Sequence, residues 1–203
     1  RDVLSRIIWG SQISLIVAFA SILVAMAIGG AIGLVSGYVG GRTDLLIMQA
    51  MDVLVSFPSL IMGLIVVAML GPDLINLVIA IALTAVAPFA RITRAPTIVL
   101  KERAFVEAGR ALGFSHIRIV MVHIVPNLLA EVLVMGSLWM ATAVRVEASL
   151  SFIGLGVRPP TPEWGIMVAE GASFIASGEW WIAIFPGLAL MLAVFCFNLL
   201  GDG

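Results

Sequence analysis

Side chains that can take part in acid–base, metal-binding or phosphate chemistry are scarce in this chain. Charged residues make up 11% of its 203 residues, and it contains two histidines and one cysteine. The histidines, His116 and His123, are seven positions apart, and capping or surface roles are expected of them rather than metal ligation. The Gly-x-x-x-x-Gly-Lys loop that cradles nucleotide phosphates does not occur in the sequence. The sequence therefore predicts no catalytic, metal-binding or cofactor-binding residue, and we do not expect an enzyme.

The most informative polar residues lie in one segment, residues 91–123. A short helix is predicted from Arg103 to Leu112, ended by Gly113, and Ser115 is expected to cap a second helix. Each helix has one apolar face, formed by Phe105, Ala108 and Leu112 in the first and by Ile117, Val120, Met121 and Ile124 in the second. Such a helix pair either lies on a membrane surface or docks on a soluble partner, and the periodicity does not distinguish the two.

The elements that position this segment are expected to be membrane-spanning helices. Apolar residues make up 62% of the chain and the mean hydropathy is +1.17, whereas soluble domains carry about 25% charged residues. The net charge of −1 gives no electrostatic case for a nucleic-acid partner. Because a spanning helix needs about 20 mostly apolar residues, five spans are predicted, at about residues 13–39, 45–70, 74–90, 128–155 and 180–200.

The basic residues predict which side of the membrane each loop occupies. Seven of them (Arg42, Arg91, Arg94, Lys101, Arg103, Arg110 and Arg118) fall in one set of loops, and three (Arg1, Arg6 and Arg158) fall in the other. Since positive charge accumulates on the cytoplasmic side, residues 91–123 are expected to be a cytoplasmic loop. The N-terminus is then outside and the C-terminus inside, an arrangement expected if a sixth, N-terminal span precedes this sequence.

Small and ionisable residues occur within the predicted spans. Gly29, Gly33 and Gly37 recur every four residues, a spacing that lets helix backbones approach closely. Four ionisable side chains are predicted inside spans, where they are costly and often functional: Asp52, Glu131, Arg145 and Glu147. Arg145 and Glu147 are two residues apart, so they face different ways on a helix and cannot be assumed to pair. They could hold a partner subunit or line a pathway.

The loop segment also carries a family motif. Glu107-Ala108-Gly109, then Gly113, then Val125-Pro126, resembles the EAA loop of binding-protein-dependent ABC importer permeases, which reads E-A-A, three residues, G, nine residues and I-x-L-P. The departures are Gly109 for the second alanine, His123 for isoleucine and Val125 for leucine. His123-Ile124-Val125-Pro126-Asn127 is similar to the variant of the dipeptide, oligopeptide and nickel branch.

The resemblance to that branch runs from end to end, and it is closest to the "C" permease subunit. It is carried by the segments at residues 1–6, 37–41, 57–60, 70–72, 147–156, 159–165 and 197–203, which read RDVLSR, GYVGG, FPSL, LGP, EASLSFIGLG, PPTPEWG and FNLLGDG. It implies an all-α integral membrane protein with a MetI-like, type I ABC importer transmembrane domain over residues 1–203. It also implies a multi-pass location in the inner membrane of a prokaryote.

The resemblance implies partners as well. In this family two permease subunits form the pathway, two cytoplasmic ATPases bind and hydrolyse ATP, and an external binding protein delivers the substrate, here peptides. The residues implied to contact the ATPase are Glu107, Ala108, Gly109, Arg110, Ala111, Leu112, Gly113 and Phe114. Residues 154–165, which follow the fourth span on the outer side of the membrane, are termed the outer segment. Contact with the binding protein is expected from this segment, at Pro159, Pro160, Thr161 and Trp164.

Three alternatives stay open at this stage. The first is an importer of the same branch for a nickel chelate, glutathione or another small solute. The second is a secondary transporter or channel acting alone, which would call for ion-coupling carboxylates near mid-membrane and no protruding glycine-hinged loop. The third is a structural membrane scaffold, which would not need the cytoplasmic segment.

Overall fold

The computed structural model describes residues 2–157 and 160–202, and within them it contains nine α-helices and no strand. A π-helical stretch, Ile119–Ile124, and a short 3₁₀ turn, Ile175–Ser177, complete the regular structure. The helices are α1 (Val3–Val39), α2 (Gly41–Val55), α3 (Ser59–Leu70), α4 (Leu74–Leu100), α5 (Ala104–Ala111), α6 (His116–Arg118), α7 (Val125–Phe152), α8 (Trp164–Ala172) and α9 (Trp181–Asp202).

Four helical runs are long and apolar enough to cross a membrane: α1, α4, the run from α6 through α7, and α9. A fifth crossing is reached if α2 and α3 count as one span, but these helices are bent by 85° where they meet. Pro58 stands at this break and has no backbone N–H to continue a helix. The predicted span at residues 45–70 is therefore a broken helix rather than a straight one.

The core lies between α1 and α4, and the glycine stripe of α1 makes their contact close. A β-carbon at Gly33 would collide with the backbone carbonyl of Ala90, and one at Gly37 would lie 2.8 Å from the carbonyl oxygen of Arg94. Gly29 meets α4 in the same way. The predicted packing role of the stripe is confirmed, since any side chain here would force the two backbones apart.

Several helix boundaries differ from the predicted ones. α1 begins at Val3, ten residues before the predicted span, with Asp2 accepting a hydrogen bond from the Ser5 backbone N–H at 3.3 Å. α4 continues to Leu100, so residues 91–100 of the predicted loop are helical. α8 was not predicted, because nine residues cannot span a bilayer and the surrounding sequence is rich in glycine and proline.

Candidate functional site

The segment between α4 and α7, residues 101–124, is termed the loop-helix segment. Its first helix, α5, ends in a Schellman motif, in which the Phe114 N–H donates to the Gly109 carbonyl at 3.0 Å and the Gly113 N–H donates to the Arg110 carbonyl at 2.9 Å. Gly113 has a φ of +78°, which glycine adopts without strain. Ser115 Oγ then accepts a hydrogen bond from the Arg118 N–H at 3.4 Å. The predicted helix stop and the predicted N-cap are both confirmed.

The interior of this segment is built around the ring of Phe114. The ring lies parallel to that of His123, with centroids 6.0 Å apart, and the Arg118 guanidinium carbon is 4.2 Å from its centroid. A β-carbon at Gly109 would approach Phe114 Cδ2 to 3.2 Å, so the ring seats against the bare backbone of α5. Glycine in place of the second alanine of the motif therefore has a packing reason.

The apolar faces predicted for the two loop helices are mostly exposed, with Ile124 buried. Val106 and Gly109 are the buried residues of α5, and Ile119 and Ile124 are the buried residues of the π-helical stretch. Four large apolar side chains are instead exposed, by the following fractions: Phe105 42%, Leu112 74%, Ile117 77% and Met121 58%. We term these four residues the apolar surface of the loop-helix segment.

Most residues expected to contact a partner are on the outside of this segment. Glu107, Ala108, Arg110, Ala111, Leu112 and Gly113 are exposed, whereas Phe114 is half-buried and Gly109 is buried. The sequence spacing allowed Glu107 to pair with Arg103 or Arg110, but the structure shows neither ion pair. The Glu107 carboxylate is therefore not held by a charge of its own helix.

Two contacts that the sequence did not reveal tie the loop-helix segment to α1. The Tyr38 hydroxyl and His116 Nδ1 are hydrogen-bonded at 2.7 Å, and Lys101 Nζ donates to the Gly37 carbonyl at 2.8 Å. The second contact places a cation at the C-terminal end of α1, where the helix dipole favours it. The segment is thus attached at its start and at its middle to the longest helix of the molecule.

The ionisable residues predicted in the spans have separate environments. Asp52 pairs with Arg91 of α4, with Asp52 Oδ1 and Arg91 Nη2 2.5 Å apart. On α7, Arg145 is exposed and its guanidinium donates to the Thr142 hydroxyl at 3.0 Å, whereas Glu147 is fully buried. Arg145 and Glu147, both described by the structure, form no ion pair with each other.

In the outer segment after α7, one of the residues expected to contact the binding protein, Trp164, is buried. Trp164 is only 5% exposed, and its indole N–H donates to the Ile7 carbonyl of α1 at 2.9 Å. The buried indole holds α8 against α1 and offers little surface to another protein, and the contact expected at Trp164 stays a prediction. Pro160 is exposed and Thr161 is half-buried, while Pro159 lies outside the described residues.

Sequence comparisons give a consistent group of similar proteins. A family model described as "Binding-protein-dependent transport system inner membrane component" matches residues 29–203. A dipeptide transport system permease protein of Alkalihalophilus pseudofirmus is 41% identical over the whole chain, and a di/tripeptide transport system permease protein of Pseudomonas aeruginosa is 40% identical. A glutathione transport system permease protein of Pectobacterium atrosepticum is 42% identical. The chain spans about two thirds of these relatives, from 66% to 67% of their length.

The fold is similar to solved transporter structures. An inward-facing MetNI methionine ABC transporter structure matches with a TM-score of 0.77 over 97% of this chain and 93% of the other, at 17% identity. An amino acid ABC transporter matches with a TM-score of 0.68 over 98% of this chain and 92% of the other, at 19% identity. Identities this low bear on the fold alone. The expected all-α, MetI-like transmembrane fold is confirmed.

Proposed function

Because the chain belongs to the family of binding-protein-dependent transport system inner membrane components, we propose that it is a permease subunit of an ATP-driven peptide importer. In this proposal it forms the translocation pathway with a second, different permease subunit. An external binding protein delivers the substrate, and two cytoplasmic subunits bind and hydrolyse ATP. The chain itself is a multi-pass protein of the bacterial inner membrane.

The observation that carries the coupling role is the apolar surface of the loop-helix segment. Leu112 and Ile117 are each about three-quarters exposed, at 74% and 77%, on a segment that the positive-inside rule assigns to the cytoplasm. Apolar side chains grouped on an exposed surface mark a site of protein or membrane contact. Glu107 and Arg110 are exposed on α5, the helix that precedes Leu112, so the segment offers polar as well as apolar side chains, as protein interfaces do.

The rigidity of the segment supports coupling by rigid-body motion. A Schellman motif ends α5, Ser115 caps the next helix, and Tyr38 and Lys101 tie the segment to α1. A movement imposed on the apolar surface by an ATPase is then transmitted to the spanning helices rather than absorbed by a flexible loop. The ATPase contact is proposed to extend from Glu107 to Phe114.

The names of the relatives support a short peptide as the substrate. They describe transport of dipeptides, di- and tripeptides, and glutathione, itself a tripeptide. An importer of the same branch for a nickel chelate or another small solute remains the alternative. A transporter acting alone would leave the apolar surface of the loop-helix segment without a partner.

The coupling proposal is tested by removing apolar area without adding charge. In the full complex, Leu112→Ser and Ile117→Ser are expected to release the ATPase subunits in mild detergent, or to abolish the stimulation of ATP hydrolysis by the loaded binding protein. Glu102→Ser, an exposed change just before α5, is the matched control and should retain both. If both serine variants keep normal assembly and stimulation, the segment is not the ATPase contact.

The cytoplasmic position of the segment is tested separately by labelling. In a background lacking Cys196, a cysteine at Ser115 should react only with reagents that cross the inner membrane. A cysteine at Thr161 should react with impermeant reagents added from outside. The reverse pattern would contradict the orientation and, with it, the ATPase contact.

A further inference from the structure

Two acidic side chains are buried together where α7 ends and α8 begins. Glu147 of α7 and Glu163, which precedes α8, are both 0% exposed, and their carboxyl groups face each other. Neither forms an ion pair with a basic side chain within residues 2–157 and 160–202. Buried carboxylates without a counter-charge are strongly disfavoured, and two adjacent ones more so. The pair therefore needs a compensating positive charge.

The hydrogen bonds around the pair leave one oxygen of each carboxyl group unsatisfied. The Ser14 hydroxyl of α1 donates to Glu147 Oε1 at 3.1 Å, and the Val157 backbone N–H donates to Glu163 Oε2 at 3.2 Å. Among residues 2–157 and 160–202, the buried atoms Glu147 Oε2 and Glu163 Oε1 have no hydrogen-bond partner. Ser151 Oγ is a third buried atom without a partner in the described part of the chain, on a side chain that is 1% exposed. Unsatisfied buried polar atoms are rare, and three in one place indicate a missing group.

Ser151 and Glu163 line the same narrow space. A β-carbon at Gly156 would lie 2.6 Å from Ser151 Cβ and 2.7 Å from Glu163 Oε2. Gly165 is pressed against Ser151 in the same way, 2.8 Å from its Cβ. The space around the carboxyl groups is therefore small, which disfavours a large occupant.

The charged groups of the neighbouring helices are engaged elsewhere. Arg6 of α1 pairs with Glu170 of α8 at 2.9 Å, and Arg145 of α7 is exposed and bonded to Thr142. From α3, the contact with this part of α7 is apolar, between Gly63 and Leu150. None of these groups supplies a charge to Glu147 or Glu163.

A metal ion suits this geometry poorly. Calcium takes about six to eight oxygen ligands in proteins, and the described residues contain no group of three or more His, Cys, Asp or Glu side chains that could hold a metal. A proton needs only two oxygens. It converts one carboxyl into a hydrogen-bond donor to the other, so it supplies a partner where each group has an unsatisfied oxygen.

We propose that Glu147 and Glu163 form a buried proton-binding site, in which one proton is shared between the two carboxyl groups. The remaining negative charge accepts the hydrogen bonds from Ser14 and Val157, and Ser151 is a further donor within the same space. The shared proton holds the segment between α7 and α8 against α1. That segment also carries the exposed Pro160, so the site stabilises the surface expected to meet the binding protein.

The test uses the full transporter complex in lipid at neutral pH and infrared spectroscopy. A carbonyl band of a protonated carboxylic acid, sensitive to deuterium exchange, is expected in the wild type. It should be lost in both Glu147→Gln and Glu163→Gln, whose amide N–H groups replace the shared proton as donor. Glu170→Gln, a change at a more exposed carboxylate, is the matched control and should keep the band. A wild type without the band overturns the proposal even if a variant fails to fold.

A second measurement follows thermal stability with pH. The proposed proton stays bound in the folded state at neutral pH, where the carboxyl groups of the unfolded chain are ionised. The folded state then binds more protons than the unfolded state, so its stability falls as pH rises. Either glutamine variant should lose most of this dependence. The same dependence in wild type and both variants would contradict the proposal.

Two further experiments test whether a metal ion or Arg158, rather than a proton, compensates the charge of the pair. Calcium addition or chelation that shifts the melting temperature of the wild type, but not of the glutamine variants, would show a metal ion in place of the proton. Arg158→Ala should leave the acid band unchanged. An acid band that appears only after this substitution would show that Arg158 neutralises the pair.

Discussion

The two segments that flank α7 differ in where they put their polar and apolar side chains. Before α7, the loop-helix segment exposes Leu112 and Ile117 and satisfies its backbone with local caps. After α7, the outer segment buries Glu163, beside Glu147 of α7, and Trp164, which is hydrogen-bonded to α1. The first arrangement leaves apolar area for a partner to cover, whereas the second uses its large side chains for contacts inside the subunit. Changes in the first should therefore affect assembly, and changes in the second should affect the stability of the subunit.

The largest effect is expected from Trp164→Ala. This substitution empties a buried site and removes the hydrogen bond to Ile7, so it should destabilise the subunit by about 3–5 kcal/mol. Trp9→Ala is the matched control because the Trp9 side chain is 62% exposed. Thermal unfolding of the purified complex is the measurement. Equal losses for the two variants would mean that α8 is not held by its tryptophan and would remove the contrast between the two segments.

A smaller effect, of a different kind, is expected from Gly113→Val. A β-branched residue at a φ of +78° adds strain of about 1–3 kcal/mol, confined to the turn between two exposed helices. Uptake and substrate-stimulated ATP hydrolysis should fall, while the melting temperature of the subunit should drop less than in Trp164→Ala and substrate binding to the external receptor should not change. Gly113→Asn, which tolerates this backbone conformation, should retain most activity. A stability loss as large as that of Trp164→Ala would show that the turn at Gly113 stabilises the subunit itself rather than serving assembly.

The smallest effect is expected from Tyr38→Phe, which removes the hydrogen bond between α1 and His116. A single hydrogen bond of this kind contributes about 0.5–1.5 kcal/mol. Because it attaches the loop-helix segment to the spanning helices, we expect a modest loss of coupling, read as ATP hydrolysed per peptide imported, without loss of ATPase binding. Tyr38→His, which can keep a polar contact, is the comparison. A coupling ratio unchanged in Tyr38→Phe would show that the caps alone hold the segment.

Local features of the functional segment were predictable because they depend on neighbouring residues. Gly113 and Ser115 were identified as stop and cap, since capping involves atoms three to five residues apart. The glycine stripe of α1 was identified in the same way from its spacing. Which face of α5 the chain itself buries was not predicted. Its eight residues make little more than two turns, and the seating of Phe114 against Gly109 selects the face of Val106.

The sequence by itself determined a membrane protein with a capped pair of helices between two spans, because apolar run length, capping residues and basic loops are local properties. Only the tertiary structure decided that Glu147 lies against Glu163 and that the indole of Trp164 is buried on α1. It also decided that Leu112 and Ile117 face outward. Each of these depends on how helices far apart in sequence pack together, and a side chain's environment is set by that packing rather than by its neighbours along the chain.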